Sequence, residues 1–305
     1  VLRPAATRTS RKACGKAEST APREGRMLSY GLSDRVVVIS GGTSGIGFST
    51  ALAAARDGAR VAVLGTGQEK MDAALVHLTA AARSPDHVRG IVADVRKAET
   101  LHAAADIIAR DLGPVFGLVA CAGIAGASKP EDLPLEDLNN VFAVNVGGVL
   151  STTQAFVKGM IERRSGSIVI VGSINSFGGQ PGRMHYTASK HAVVGMVKNL
   201  AIDWGRHNVR VNGIAPGPVE TPMLRRNVPA SFMANVFEDR IPMGRLAQSE
   251  EIAGPILMLL SDGSSFVNGA MLVVDGGMTA GPFTRRQGGD MGSRRLLDAG
   301  IYSED

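Results

Sequence analysis

The run Arg35-Val-Val-Val-Ile-Ser40 leads directly into Gly41-Gly-Thr-Ser-Gly-Ile-Gly47 and then into a helical stretch rich in Ala, Leu and Ser to about Asp57. No other feature constrains the fold as much. An unbroken β-branched run is the pattern of a strand buried on both faces. A strand that turns sharply into a helix reaches its next neighbour by a crossover, so the sheet is parallel and covered by helices. Glycines 41, 45 and 47 let the backbone approach a pyrophosphate, and the helix N-terminus behind them supplies amides and partial positive charge. The context is that of a dinucleotide-binding turn, spaced G-x-x-x-G-x-G instead of G-x-G-x-x-G.

The alternation continues along the chain. Strands read over Arg60–Gly65, Val88–Val95, Phe116–Gly123 with its exit turn, Ser167–Ser173, Val209–Ala215 and Ala270–Gly277. Helices read over Lys70–Arg83, on to about Leu112, from Pro134 onward, over Met184–Gly205 and over Ser249–Leu260. The expectation is one α/β domain over residues 28–280, a doubly wound, Rossmann-like parallel sheet of about seven strands with helices on both faces. Residues 1–27 read as a disordered extension and residues 281–305 as a polar tail. Residues 222–245 are irregular and dotted with apolar side chains (Met223, Leu224, Val228, Phe232, Met233, Phe237, Met243). They read equally as a mobile lid over a substrate or as a helical pair packed on the domain.

Hydrophobic content of 44% supports a large core, and with aromatics at only 4% that core is aliphatic. No apolar run reaches the roughly 18 residues of a membrane span. The net charge of +5 is local. Seven of the 33 basic residues and two of the 28 acidic ones lie in residues 1–26, so the remainder is neutral and is not built for nucleic acid. That Arg- and Ser-rich segment fits an organelle transit peptide. Met27, immediately ahead of the fold, favours a true start there and a cytoplasmic protein. Two cysteines, Cys14 and Cys121, make no disulfide framework, which fits a reducing compartment. The six histidines show no metal spacing. His185 and His191, six apart, cannot share a helical face, and no metal is expected.

Ser173-Ile-Asn-Ser-Phe-Gly-Gly-Gln-Pro-Gly-Arg-Met-His-Tyr-Thr-Ala-Ser-Lys190 carries the chemistry. Tyr186 and Lys190, four apart on a helix, share a face. A phenol with a pKa of about 10 needs roughly 4 kcal/mol of help to titrate about 3 units lower. One cation about 4 Å away in a half-wet site supplies about that. Tyr186 can then exchange a proton with a hydroxyl or carbonyl, and Ser173 can donate to the same oxygen.

With these motifs in this order, residues 28–280 resemble the short-chain dehydrogenase/reductase family. The Gly41–Gly47 turn is similar to its T-G-x-x-x-G-x-G with Ser40 for Thr, and the end of Ala270–Gly277 to its V-D-G-G. The turn Ala120-Cys121-Ala122-Gly123 looks like its N-N-A-G with both asparagines replaced. The resemblance implies catalysis by Ser173, Tyr186 and Lys190, with Asn145 binding a water that links Lys190 to solvent. It implies cofactor contacts from Gly41, Thr43, Ser44, Gly45, Ile46, Gly47, Thr66, Ala122 and Gly123, and from Tyr186 and Lys190 toward the nicotinamide ribose. Asp94 would meet the adenine edge and Val95 line its pocket, while Pro216, Gly217, Val219 and Thr221 would surround the nicotinamide.

An acid at the end of the second strand selects NAD and a base selects NADP. Gly65-Thr66 and Ser44 carry neither charge. Nothing there repels a 2′-phosphate, which Thr66, Ser44 and Lys70 can receive, so the reading leans to NADP over NAD. Asn175, Phe177, Gln180, Met184, Met223 and Leu224 would face a small-molecule substrate. They suit a mid-sized, largely apolar secondary alcohol or ketone, alicyclic or steroid-like. The rival is a 3-oxoacyl thioester on an acyl carrier protein, with Arg225 and Arg226 as a basic rim. A non-catalytic nucleotide sensor or scaffold is the remote reading. The family's habit implies a homodimer or homotetramer.

Overall fold

The computed structural model describes residues 29–281. The expectations for residues 1–27 and for the tail beyond residue 281, and with them Cys14, lie outside the described residues. Seven strands form one wholly parallel sheet: β1 Val36–Ser40, β2 Arg60–Gly65, β3 Val88–Val92, β4 Val115–Ala120, β5 Gly166–Val171, β6 Val209–Pro216 and β7 Met271–Val274. Their order is β3-β2-β1-β4-β5-β6-β7. The chain builds outward from β1 on one side and then crosses to β4 to build the other. The switch point between β1 and β4 is where an open parallel sheet leaves a crevice at its carboxyl edge.

Burial explains why the strands were readable. All of β1 and β5 is buried, and so is β6 apart from Arg210. A strand covered on both faces needs apolar residues at every position, not at alternate ones. Two cores result. Helices α1 Gly45–Arg56, α2 Gln68–Ala81 and a later helix, Ser249–Leu260, cover one face through Ala51, Ala54, Met71, Leu78, Ile252 and Ile256. Helices α3 Ala98–Asp111, α5 Gly148–Arg163 and α6 Met184–Gly205 cover the other through Leu101, Ile108, Phe156, Met160, Val193 and Val197. Ahead of α5 lies α4, Leu135–Phe142, with Pro134 as its N-cap.

Two details depart from the sequence reading, and a third decides between two alternatives. The third strand ends at Val92, leaving Asp94 and Val95 in the turn beyond it. The long helix expected from Pro134 is broken by a π-helical turn, Ala143–Gly147, with Asn145 at its centre. Residues 222–240 are mostly helical: α7 Pro222–Asn227 and then, from Ala230 to Arg240, single helical turns, with a small core of their own from Val228, Met233, Phe237 and Ile241. That segment has the packing of a helical pair on the domain.

Candidate active site

The carboxyl ends of β1, β4, β5 and β6 deliver their turns to one crevice. Gly41 takes a φ of +69°, and a β-carbon there would lie 2.9 Å from the Ala122 backbone. The first and fourth turns therefore meet without side chains between them. Ser40 fixes that meeting, because its Oγ accepts the amides of Cys121 (3.3 Å) and Ala122 (3.4 Å). The β1 hydroxyl thus holds the exit turn of β4. Ser44 is exposed, is the N-cap of α1 and makes no capping bond with its side chain. The open cradle at the head of α1 has the form that a pyrophosphate needs. A β-carbon on Gly45 would lie 3.2 Å from Thr221 Cγ2, so the turn after β6 closes over the cradle.

Ser173 follows β5. Its Oγ accepts the Asn175 amide at 3.1 Å and its own amide donates to Ser176 Oγ at 3.2 Å, a reciprocal cap that fixes the hydroxyl. The Ser173 side chain also acts on the Tyr186 phenol and favours the phenolate. Lys190 is buried, donates to the Val171 carbonyl at 2.8 Å, and places its Nζ 5.8 Å from the centre of the Tyr186 ring. A β-carbon on Gly123 would lie 3.3 Å from Asn145 Oδ1 and 3.8 Å from Lys190 Nζ. Ser173, Tyr186, Lys190, Asn145, Gly123 and the Gly-rich turn therefore converge.

The electrostatics correct the spacing argument. Burial dominates at Tyr186 and raises its pKa, against the Ser173 side chain and the charge of Arg183, which lower it. The net direction is opposite to the one the spacing predicts. Burial instead brings the lysine itself down to about 8. The thiol of Cys121, also enclosed here, is pushed up to about 11 by burial, with the Lys190 charge opposing. It is a neutral group at pH 7.

One prediction follows from the lysine. Its pKa lies below the ordinary lysine value in the folded state, so the folded protein gives up this proton before the unfolded chain does. Stability attributable to this site is lowest below pH 8 and recovers as pH rises from about 8 toward 10.5. Thermal melts of Lys190→Met should match or exceed wild type at pH 7, and the gap should close between pH 8 and 10. A variant less stable than wild type at pH 7, with the same gap at pH 10, would contradict this.

Several expected contacts are otherwise engaged. Asn145 is buried, donates to the Ile124 carbonyl (2.9 Å) and Ser189 Oγ (3.0 Å), and accepts the Ile124 amide (2.9 Å). Both of its amide hydrogens are thereby spent, and its Oδ1 keeps one lone pair. Asp94 accepts both the side chain and the amide of Arg96, which hold its carboxyl below the usual range. Val95 is core, packed toward Gly148 of α5. Ile46 packs against the core behind the turn, and Thr43 sits against Gly65. Thr66 is exposed; Val219 is buried and bridges to Ala247. Pro216 ends β6, and Gly217 donates to the Val274 carbonyl.

On the substrate side, the Asn175 amide is spent on Gln180 Oε1 (3.3 Å) and Thr187 Oγ1 (3.2 Å). Through that amide it ties its loop to α6. Phe177, Met184 and Met223 present exposed apolar surface, while Leu224 packs against the 228–241 core. His191 is an exposed helix residue bonded to the Thr187 carbonyl (3.0 Å). His185 is buried against Gly126, and its pKa is lowered by that burial. Sequence reasoning missed Ser189, which donates to the Tyr186 carbonyl at 2.7 Å, and Arg183. Ser189 lies in the Tyr186–Lys190 string itself, and its i+3 spacing from Tyr186 was the available signal. Among the described residues no group of His, Cys, Asp or Glu could hold a metal, and no helix is long and apolar enough to cross a membrane.

A family model described as enoyl-(acyl carrier protein) reductase matches residues 41–279. The chain is 36% identical to the 2-(S)-hydroxypropyl-CoM dehydrogenase 3 of Xanthobacter autotrophicus, over 83% of this chain and 100% of that one. It is 36% identical to the 3-oxoacyl-(acyl-carrier-protein) reductase of Thermotoga maritima, over 81% of this chain and 98% of that one. Among solved structures it is similar to a gluconate 5-dehydrogenase from Burkholderia cenocepacia in complex with NADP and tartrate, with a TM-score of 0.78, 32% identity, and 83% and 98% of the two chains covered. Matched through fold, cradle and site over four-fifths of its length, this chain belongs to the short-chain dehydrogenase/reductase family of oxidoreductases.

Proposed function

We propose that the protein reversibly interconverts a secondary alcohol and a ketone with a nicotinamide cofactor. The observation that carries this reading is the convergence of Ser173 and the Lys190 ammonium on the Tyr186 phenol, with the Gly41–Gly47 cradle next to them. When bound, the cofactor supplies or accepts the hydride. The chain does the rest. Tyr186 gives or takes the proton of the substrate oxygen. Ser173, its hydroxyl fixed by the Asn175 amide, donates to that oxygen as charge develops. Lys190 is the cation beside the ribose and the phenol. Asn145 acts through structure, holding Ile124 against Ser189.

The cofactor reading leans to NADP. No acid stands at the end of β2, Thr66, Ser44 and Lys70 are exposed there, and the Burkholderia relative was solved with NADP. For the substrate we infer a mid-sized, largely apolar ketone, since Phe177, Met184 and Met223 present apolar surface. The second reading, a 3-oxoacyl-thioester reductase, is favoured by the Thermotoga relative. Against it, Arg225 is paired with Glu220 at 2.9 Å, which leaves Arg226 as the remaining cation of the expected basic rim. The non-catalytic reading has little support, since no member of the Ser-Tyr-Lys-Asn set is missing. The apolar hollow between α5 and α6, lined by Val146, Leu150, Met196 and Leu200, supports a homo-oligomer, and we place the protein in the cytoplasm.

The test is the initial rate of nicotinamide absorbance change with NADH and NADPH separately, over cyclic ketones, steroid ketones and a 3-oxoacyl thioester. We expect turnover of a cyclic or steroid ketone with NADPH. Tenfold tighter binding of NADH would overturn the cofactor lean. Turnover of the thioester alone would select the second reading. Cofactor binding with no turnover in either direction would select the non-catalytic one.

A further inference from the structure

Arg183 belongs to none of the roles above, yet it is buried at 7% exposure three residues ahead of Tyr186. Arginine is rarely buried without a carboxylate partner, and the bonds this one makes go to carbonyls. One guanidinium nitrogen donates to the Gly126 carbonyl at 2.6 Å and the other to the Asn227 carbonyl at 2.7 Å. Gly126 lies in the loop after β4, which is also tied down where the Ser128 amide donates to the Gly182 carbonyl at 3.0 Å. Asn227 is the last residue of α7, where carbonyls lack intrahelical partners and a cation is favoured. The other end of α7 is capped by Thr221, whose Oγ1 accepts the Leu224 amide at 3.1 Å and whose methyl faces Gly45 of the cradle. So α7 is a strap, fastened at one end beside the cofactor turn and at the other by a cation beside Tyr186.

We propose that Arg183 is a positioning residue that latches the 222–245 segment to the Gly126 loop and couples closure of that strap to the charge state of Tyr186. The inference rests on the oxidoreductase reading of the same site. While the strap is closed, the guanidinium is out of water and its charge acts on the phenol through a low dielectric. Opening at Asn227 wets it and weakens that action. The groups around the phenol are Ser173 and Arg183, which favour the phenolate, Cys121, which opposes it, and Lys190 below the ring. His185, next in sequence to Tyr186, has its pKa lowered by burial, with Asp137 of α4 opposing. Among these, Arg183 is the one that also holds the strap.

The test needs no turnover. Phenolate absorbance is titrated in wild type, Arg183→Met and Arg183→Lys, each against the same protein carrying Tyr186→Phe, which isolates one of three tyrosines. Trypsin cleavage at Arg225 and Arg226 is followed in parallel. Arg183→Met should raise the Tyr186 midpoint by about one pH unit and speed cleavage. Arg183→Lys keeps the charge but cannot reach both carbonyls in the plane of a guanidinium. It should hold the midpoint near wild type and still speed cleavage. An unmoved midpoint in the folded Met variant overturns the coupling, and unchanged cleavage in the Lys variant overturns the latch. If the Met variant does not fold, Arg183→Gln replaces it with the same expectation. Should the ketone panel be silent while these shifts appear, the substrate reading fails and the latch stands.

Discussion

Tyr186→Phe should lower kcat/KM for the carbonyl substrate by about 10²–10⁴-fold, the range of a positioned acid–base group, and cost cofactor binding no more than the single contact of the phenol with the nicotinamide ribose. The substitution removes one oxygen. It leaves the ring on α6 and the backbone that Ser189 holds at the Tyr186 carbonyl. At most the phenol's polar contact is lost, about 1 kcal/mol, so a folded, cofactor-binding and inactive protein is the expected product. The direction of the pKa shift adds a sign. Burial raises the phenol, so near neutral pH Tyr186 is almost wholly protonated. In the reduction direction it is already the acid, and the rate should be flat through neutrality. In the oxidation direction the phenolate is the minority species, and kcat/KM should climb with pH. A variant retaining more than about a tenth of wild-type activity would remove Tyr186 from this role, since such a group contributes at least about 10². The nearby thiol, held at about 11, is no ready substitute.

How much of this was legible depended on whether the physics was local. The sheet was legible because strands covered on both faces must be apolar throughout, and β2 and α6 have the bounds their sequence predicts. The cradle was legible because only glycine tolerates the approach of Gly41 to Ala122. The juxtaposition of Ser173, Tyr186 and Lys190 was legible from one spacing and one strand end. What failed was whatever depended on the dielectric or on a distant partner. Spacing places Lys190 beneath Tyr186, but it does not show that burial raises the phenol and lowers the lysine. An asparagine inside a helical stretch does not announce a π-helical turn, nor that Ile124 and Ser189 will bond to it. Arg183 was passed over because an arginine in a Gly/Pro-rich loop is ordinarily solvated, and its two carbonyl partners lie 57 and 44 residues away in sequence. The substrate side was least legible, because Asn175 and Gln180 can bond each other as readily as a ligand.

The opposite kind of failure is expected from Gly47→Ala, which leaves every catalytic group in place. Gly47 does not need an unusual backbone angle; it needs empty space. A β-carbon there collides with the Gly41 carbonyl oxygen and stands 2.9 Å from the Gly41 carbonyl carbon and 3.2 Å from Gly42 Cα. All of these are backbone atoms, so no rotamer relieves the contact. The turn must open, and it carries the first amides of α1 and lies against the β4 exit turn. Overpacking of this kind costs about 1–3 kcal/mol of stability. If most of that strain falls on the cradle, about 2.7 kcal/mol corresponds to a hundredfold loss of affinity. Fluorescence titration with NADPH and NADH should show that loss for both cofactors, because the strain lies under the pyrophosphate and not at the ribose. Gly67→Ala is the control. It lies at the N-cap of α2 in an extended conformation with nothing within 4 Å of a new β-carbon, and it should bind both cofactors as wild type does. If Gly47→Ala also binds normally, the Gly41–Gly47 turn is not the pyrophosphate cradle. The cofactor would then have to be held by the exit turns of β4 and β6 alone.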